Sequence, residues 1–190
     1  MSAGVLLLHA WWGLNDDVRA YAERLRGEGY VTEMADLYHG RIATTIADAE
    51  KLAKGLDDAR ATTDVDAALT KLAGSADRVA VLGWSLGASY GWQLAQARRA
   101  DIGALVLYYP GMDDIYADAK LPPLLVHFAD HDEFESLAAR VRPLTLESES
   151  IFYKKVLAAL KRMIDAAAAG DDGCEGRVRL VGCSCDRPCR

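Results

Sequence analysis

The sequence predicts an open α/β fold, a mostly parallel sheet with helices on both faces, and three observations carry that prediction. Helical and strand patterns alternate along residues 1–170, the arrangement that builds a parallel sheet covered by helices. The strand segments are continuous apolar runs such as Val5-Leu6-Leu7-Leu8, the mark of strands buried on both faces. No repeat, low-complexity tract or Pro/Ser linker divides that stretch. With 190 residues, 51% apolar and 26% charged, the chain is large enough to stabilise one core without metals or disulfides.

The elements follow in order. After the strand at 5–8, Asn15-Asp16-Asp17 offers caps for a helix with the apolar stripe Val18, Tyr21, Ala22 and Leu25, which Gly27 and Gly29 end. A second strand at 30–35 leads into the loop Asp36-Leu37-Tyr38-His39-Gly40. Helices at 45–56 and 65–72 precede a third strand at 78–83, built on Val79-Ala80-Val81-Leu82. A helix at 85–98 leads to a fourth strand at 102–109, stopped by Pro110-Gly111, and Pro122-Pro123 introduces a fifth at 124–128. Helices at 135–141 and 150–169 come last, the second with Ile151, Phe152, Val156, Leu160 and Met163 or Ile164 on one face.

Charge narrows the partners. A net charge of -6 disfavours attraction to nucleic-acid phosphates and anionic membrane surfaces. No apolar run reaches the ~18 residues of a membrane span. The segment from Met1 to Leu8 has no positive lead and too short an apolar part for a signal peptide, so a cytoplasmic location is expected. In that reducing compartment Cys174, Cys183, Cys185 and Cys189 read as thiols or a metal site rather than disulfides.

The sharpest chemical signal is Gly83-Trp84-Ser85-Leu86-Gly87, between a buried strand and a helix. A nucleophile elbow turns so tightly that only small residues fit two positions either side of the serine. Ser85 would stand at the carboxyl end of the sheet, where open α/β folds bind ligands. The helix amino terminus and the Leu86 N–H would face a developing oxyanion. The plainer alternative is a glycine-flanked helix cap, with Ser85 only satisfying an orphan N–H.

These residues resemble the dienelactone hydrolases of the α/β-hydrolase fold. The resemblance runs through residues 6–15, the loop at 36–40, the turn around Ser85, Leu107-Tyr108-Tyr109-Pro110-Gly111, and the stretch from His127 to Phe134. It implies hydrolysis of small carboxylic esters or lactones by a nucleophile, an acid and a histidine in that chain order, with no cofactor. The family's best-known members carry cysteine where this chain has Ser85, which favours general esterase chemistry. The resemblance places the acid at Asp132, with Asp130 as competitor and helix capping as the plain alternative for either. It makes His9-Ala10-Trp11-Trp12-Gly13 the second oxyanion element, with the Trp11 N–H beside that of Leu86. Tyr38 and Arg41 fall where the namesake enzymes bind a substrate carboxylate, although a solvated arginine is the ordinary reading. Trp11, Trp12 and Trp84 would line an apolar acyl pocket or simply pack the core.

The general base breaks the pattern. The histidines are His9, His39, His127 and His131, and none follows Asp132. The family's last strand and helix are accordingly expected to be incomplete. Residues 1–173 read as the hydrolase domain and 174–190 as a Cys/Arg/Gly-rich tail that does not match it. For that tail a zinc site, a redox or regulatory role and an out-of-frame or truncated end stay open; the spacing Cys183-Ser184-Cys185 is poor for zinc. A serine hydrolase is the expected function. In it His131 or His9 would substitute for the base only by an unusual geometry, each being more simply a loop or strand-end residue hydrogen-bonded locally; the alternative is an impaired or non-catalytic ligand-binding protein on the same scaffold.

Overall fold

In a computed structural model, residues 2–110, 122–129 and 178–183 are described. The elements run β1 (Ala3–Leu8), α1 (Asp16–Gly27), β2 (Val31–Ala35), α2 (Ile46–Lys54), α3 (Asp58–Ala73), β3 (Arg78–Trp84), α4 (Leu86–Ala97), a 3₁₀ turn (Arg99–Asp101), β4 (Ala104–Tyr108), β5 (Leu124–Ala129) and β6 (Val178–Cys183). The six strands form one sheet in the order β2-β1-β3-β4-β5-β6, and every pairing is parallel. Among the described residues no helix is long and apolar enough to cross a membrane.

Alternation along the strands builds two cores. Leu6, Leu8, Val79, Val81, Leu105, Leu107 and Val126 face α3 and α4, while Val5, Leu7, Ala80, Leu82, Val106 and Leu125 face Ala22 and Leu25 of α1. Both faces being covered explains why these strands read as unbroken apolar runs. The side each helix takes follows from chain direction. From β1 the chain steps to β2 on one side, then returns across β1 to β3, and right-handed crossovers in opposite directions put α1 on one face and α3 on the other. The crevice between the carboxyl ends of β1 and β3 is therefore the point where the winding reverses, the usual ligand position in such sheets.

Helix starts follow side-chain chemistry. Asn15 accepts from the Val18 N–H at 3.2 Å, Thr45 from Asp48 at 3.2 Å and Asp57 from Arg60 at 3.1 Å. The Asp57 cap starts α3 at Asp58, earlier than the expected residue 65. In its first two turns only alanines are apolar and only Ala61 is buried, so no apolar stripe announces them. β4 is shorter than expected because Arg99–Asp101 is a 3₁₀ turn and Tyr109 takes a φ of 50°. The sheet also has one strand more than the sequence assigned: β6 lies inside the stretch set aside as a tail and pairs with β5 from Leu124↔Val178 to Ala129↔Cys183. The expected helices at 135–141 and 150–169 lie outside the described residues, as do Cys174, Cys185 and Cys189.

At the carboxyl ends of three neighbouring strands the register aligns Trp84 with Tyr108 and Tyr108 with His127. Their rings stack, with centroids 5.7 Å apart for the first pair and 4.6 Å for the second. Tyr21 of α1 meets Trp84 edge-on at 5.3 Å. His127 is 3% exposed, and burial pulls its pKa down to about 4. The unfolded chain, with an ordinary histidine pKa, takes up the proton first as pH falls. Stability is therefore fully present above about pH 6.5 and is lost on acidification toward the folded pKa, by an amount approaching roughly 3 kcal/mol. Urea unfolding at pH 7, 5.5 and 4.5 should show a shallower pH slope for His127→Phe, which keeps the stacked ring, than for wild type. Equal slopes would mean that His127 does not carry this dependence.

Candidate functional site

Ser85 joins β3 to α4 in a strained turn, with φ 48° and ψ -112°. A non-glycine residue there costs about 1–3 kcal/mol and persists only when its surroundings enforce it. Three backbone bonds do so: Ser85 N–H donates to Tyr108 O at 2.7 Å, and its carbonyl accepts from Ala88 at 2.9 Å and Ser89 at 3.2 Å. The side chain does not cap. Asn15, Thr45 and Asp57 each accept from a backbone N–H of the helix they start, whereas Ser85, at the start of α4, makes no such bond. The residue is half-buried.

Both flanking glycines are demanded by contact. A Cβ on Gly83 would meet the Gly87 carbonyl oxygen at 2.5 Å, and one on Gly87 would meet Leu8 O at 2.2 Å and His9 O at 2.5 Å. The first glycine lets the turn close on itself, and the second lets α4 reach the end of β1. The N–H of Leu86, first residue of α4, is among the helix donors that have no intrahelical acceptor. It lies at the positive end of the helix dipole.

The loop after β1 comes to the same place. A turn closes with Gly13 N–H donating to Ala10 O at 3.1 Å, carrying Trp11 and Trp12 at its middle with their rings edge to face at 5.7 Å. Gly13, at φ 92°, lies so close to the next loop that a Cβ would stand 2.5 Å from Arg41 O. Ala43 N–H then donates to Trp12 O at 2.9 Å. The β1 and β2 loops are thereby clamped together.

Ser85 and Leu86 follow the carboxyl end of β3, Trp11 and Trp12 that of β1, and all four are half-buried. Trp84 belongs to the aromatic row facing α1. Tyr38 is 0% exposed, its ring tilted against His9 at 5.1 Å, and burial pushes its hydroxyl pKa up to about 12. Arg41 is exposed, with Nε donating to Tyr38 O at 3.1 Å. Asp132, Asp130 and His131 lie outside the described residues. His39 turns to α3, with Nε2 3.0 Å from Asp64 and Nδ1 3.3 Å from Arg60. Among the described residues no group of three or more metal-ligating side chains comes together. His9, expected as a strand-end residue hydrogen-bonded locally, is 0% exposed and hydrogen-bonded through both ring nitrogens, to the adjacent Ala10 carbonyl and, as the sequence did not indicate, to the distant Leu37 N–H.

Residues 1–145 match the model of the dienelactone hydrolase family. Protein usf of Aquifex pyrophilus is 29% identical over 143 residues, covering 69% of this chain and 62% of that protein, so the match spans less than two thirds of this relative. Among solved structures, one from Klebsiella pneumoniae subsp. pneumoniae assigned to the dienelactone hydrolases superposes with a TM-score of 0.60 at 17% identity, over 95% of this chain and 73% of that one. A dienelactone hydrolase-like promiscuous phosphotriesterase from metagenomic libraries gives 0.62 at 20% identity, over 95% and 70%. At these identities the structures establish the shared α/β-hydrolase-like fold.

Contact geometry separates two glycines of α4. Gly87→Ala drives a Cβ into backbone on β1 and should cost at least about 3 kcal/mol, the upper range for overpacking. Gly91→Ala meets only side chains, the nearest being Val81 Cγ1 at 3.3 Å, and a gain of about 1 kcal/mol in helix propensity offsets the crowding. Denaturant unfolding should show a large loss for the first and a change within about 1 kcal/mol for the second. Similar losses would mean that the approach to β1 is not the constraint.

Proposed function

The chain belongs to the dienelactone hydrolase family, and from that premise we propose that it hydrolyses small carboxylic esters or lactones with Ser85 as nucleophile. One observation carries the proposal: Ser85 occupies a strained, positive-φ turn at the start of α4 and, unlike the other helix-capping residues described, withholds its side chain from the helix. This is the arrangement of a nucleophile elbow.

In the proposed reaction Ser85 Oγ attacks the substrate carbonyl and its proton passes to a general base. The carbonyl oxygen becomes an oxyanion within reach of the Leu86 and Trp11 N–H groups, where preorganised donors are worth roughly 10²–10³ in rate each. The alkoxide leaving group takes a proton as its bond to carbon breaks, and water then hydrolyses the acyl-serine. Asp132 is proposed as the acid that orients the base, on the family's chain order. None of the described histidines suits the base role. His9 has both nitrogens engaged, His39 is paired with Asp64 on α3, and His127 is held weakly basic by burial.

Half-buried Trp11 and Trp12 beside the crevice support an apolar acyl or ring portion of the substrate. Arg41, on the loop clamped to them, supports acceptance of an anionic group. The net charge of -6 supports small-molecule substrates over nucleic acid.

A fluorophosphonate probe should label wild-type protein at Ser85, and Ser85→Ala should remove labelling and reduce p-nitrophenyl acetate hydrolysis to background. Labelling that survives Ser85→Ala would overturn the assignment. Strain adds an independent measure: Ser85→Gly, free of the positive-φ penalty, should be more stable than Ser85→Ala by about 1–3 kcal/mol. Equal unfolding free energies would show that the turn stores no strain.

A further inference from the structure

Building on the reading of Ser85 as nucleophile, we infer that His9 is a positioning residue for the Trp11 oxyanion donor, its neutral ring fixing the plane of the Ala10–Trp11 peptide. The ring is 0% exposed and stands where β1 ends. Its Nε2 accepts from the Leu37 N–H at 3.0 Å. A backbone amide can only donate there, so Nε2 carries no hydrogen and the neutral ring holds its single proton on Nδ1. Nδ1 then donates to the Ala10 carbonyl oxygen at 2.6 Å. Desolvation keeps the ring neutral by lowering its pKa, outweighing the Ala10 bond and the Asp36 carboxylate, whose Oδ1 is 4.0 Å from Nε2.

The Ala10 carbonyl and the Trp11 N–H are two ends of one planar unit. In a trans peptide they point in opposite directions, and the described residues contain no cis bond. Holding the oxygen therefore aims the N–H. The oxygen is held twice, by His9 at 2.6 Å and by the Gly13 N–H at 3.1 Å. At its far nitrogen His9 is anchored to the loop after β2, the same loop that clamps the tryptophan turn through Ala43 and Trp12. His9 thus transmits the relative placement of β1 and β2 to the direction of one amide.

Two amide side chains split the ring's two bonds. Asparagine places an N–H₂ where Nδ1 stands, keeping the bond to Ala10 and losing that to Leu37. Glutamine reaches the place of Nε2 and gives up the bond to Ala10. If His9 only filled space, the two variants would behave alike. In the full-length protein, His9→Asn should keep the Trp11 amide resonance near its wild-type position and phosphonylate Ser85 within about fivefold of the wild-type rate. His9→Gln should shift that resonance and slow phosphonylation roughly 10²-fold, the effect of losing one oxyanion donor. Wild-type His9 should show the ¹⁵N signature of an Nδ1–H tautomer at pH 7, a measurement that needs neither variant to fold. An Nε2–H or doubly protonated ring, or equal responses of the two variants, would overturn the inference. If the Trp11 amide responds as stated but wild type does not label at Ser85, the nucleophile reading is what falls and the orientation of the peptide stands.

Discussion

The approach of α4 to the end of β1 is the contact on which the rest of the site depends. Gly87 lies against the Leu8 and His9 carbonyls so closely that a single methyl group would stand 2.2 Å from oxygen. It lies where sheet winding reverses, the point at which connections leaving on opposite faces open a crevice at the strand ends. Bringing α4 down onto β1 places the Ser85 turn beside the Trp11 turn. It also presents the unsatisfied N–H groups of the helix start to the same space as the β1 loop. Widening the contact by an ångström would separate the two candidate oxyanion donors without altering either turn.

Burial of two histidines at the carboxyl edge of the sheet bears on stability as well as geometry. A buried imidazole is tolerable when neutral, since charging it in a dry environment is costly. His9 offsets its desolvation with hydrogen bonds at both nitrogens, and His127 stacks on the Tyr108 ring at 4.6 Å. Their pKa values are both lowered, and in both the leading cause is desolvation. Acid therefore lowers stability through these two buried rings, whose charging the fold disfavours, whereas exposed pairs such as Lys54 with Glu50 contribute little.

What could be read from the sequence followed from how each feature is encoded. Strands buried on both faces announce themselves as apolar runs, so β1 to β5 were legible, with β4 trimmed at its ends. β6 was not, because Arg179 and Gly182 interrupt its apolar residues and the surrounding cysteines dominate the composition. The Ser85 turn was legible because the close approaches on either side of it exclude every residue but glycine. The bond from Leu37 to His9 was hidden because Leu37 is distant in sequence and reaches the ring only through the pairing of Leu8 with Ala35. Long-range registers of that kind leave no local trace. Asp132 rests on chain order alone, lying outside the described residues.

Strain at Ser85 gives one more reason for reading the turn as functional. Serine is a good helix cap in an extended conformation, and adopting it would remove a penalty of about 1–3 kcal/mol while satisfying an orphan N–H. Local energetics therefore favour a different backbone from the one observed. Three backbone hydrogen bonds, one of them from Ser85 to Tyr108 on the neighbouring strand, and two glycine contacts hold the turn against that preference. A fold that needed only to begin a helix here had a cheaper solution, and this chain uses that solution at Asn15, Thr45 and Asp57. Among the described α-helices, the starting residue for which it does otherwise is the one at the sheet's switch point. Its side chain makes no capping hydrogen bond there.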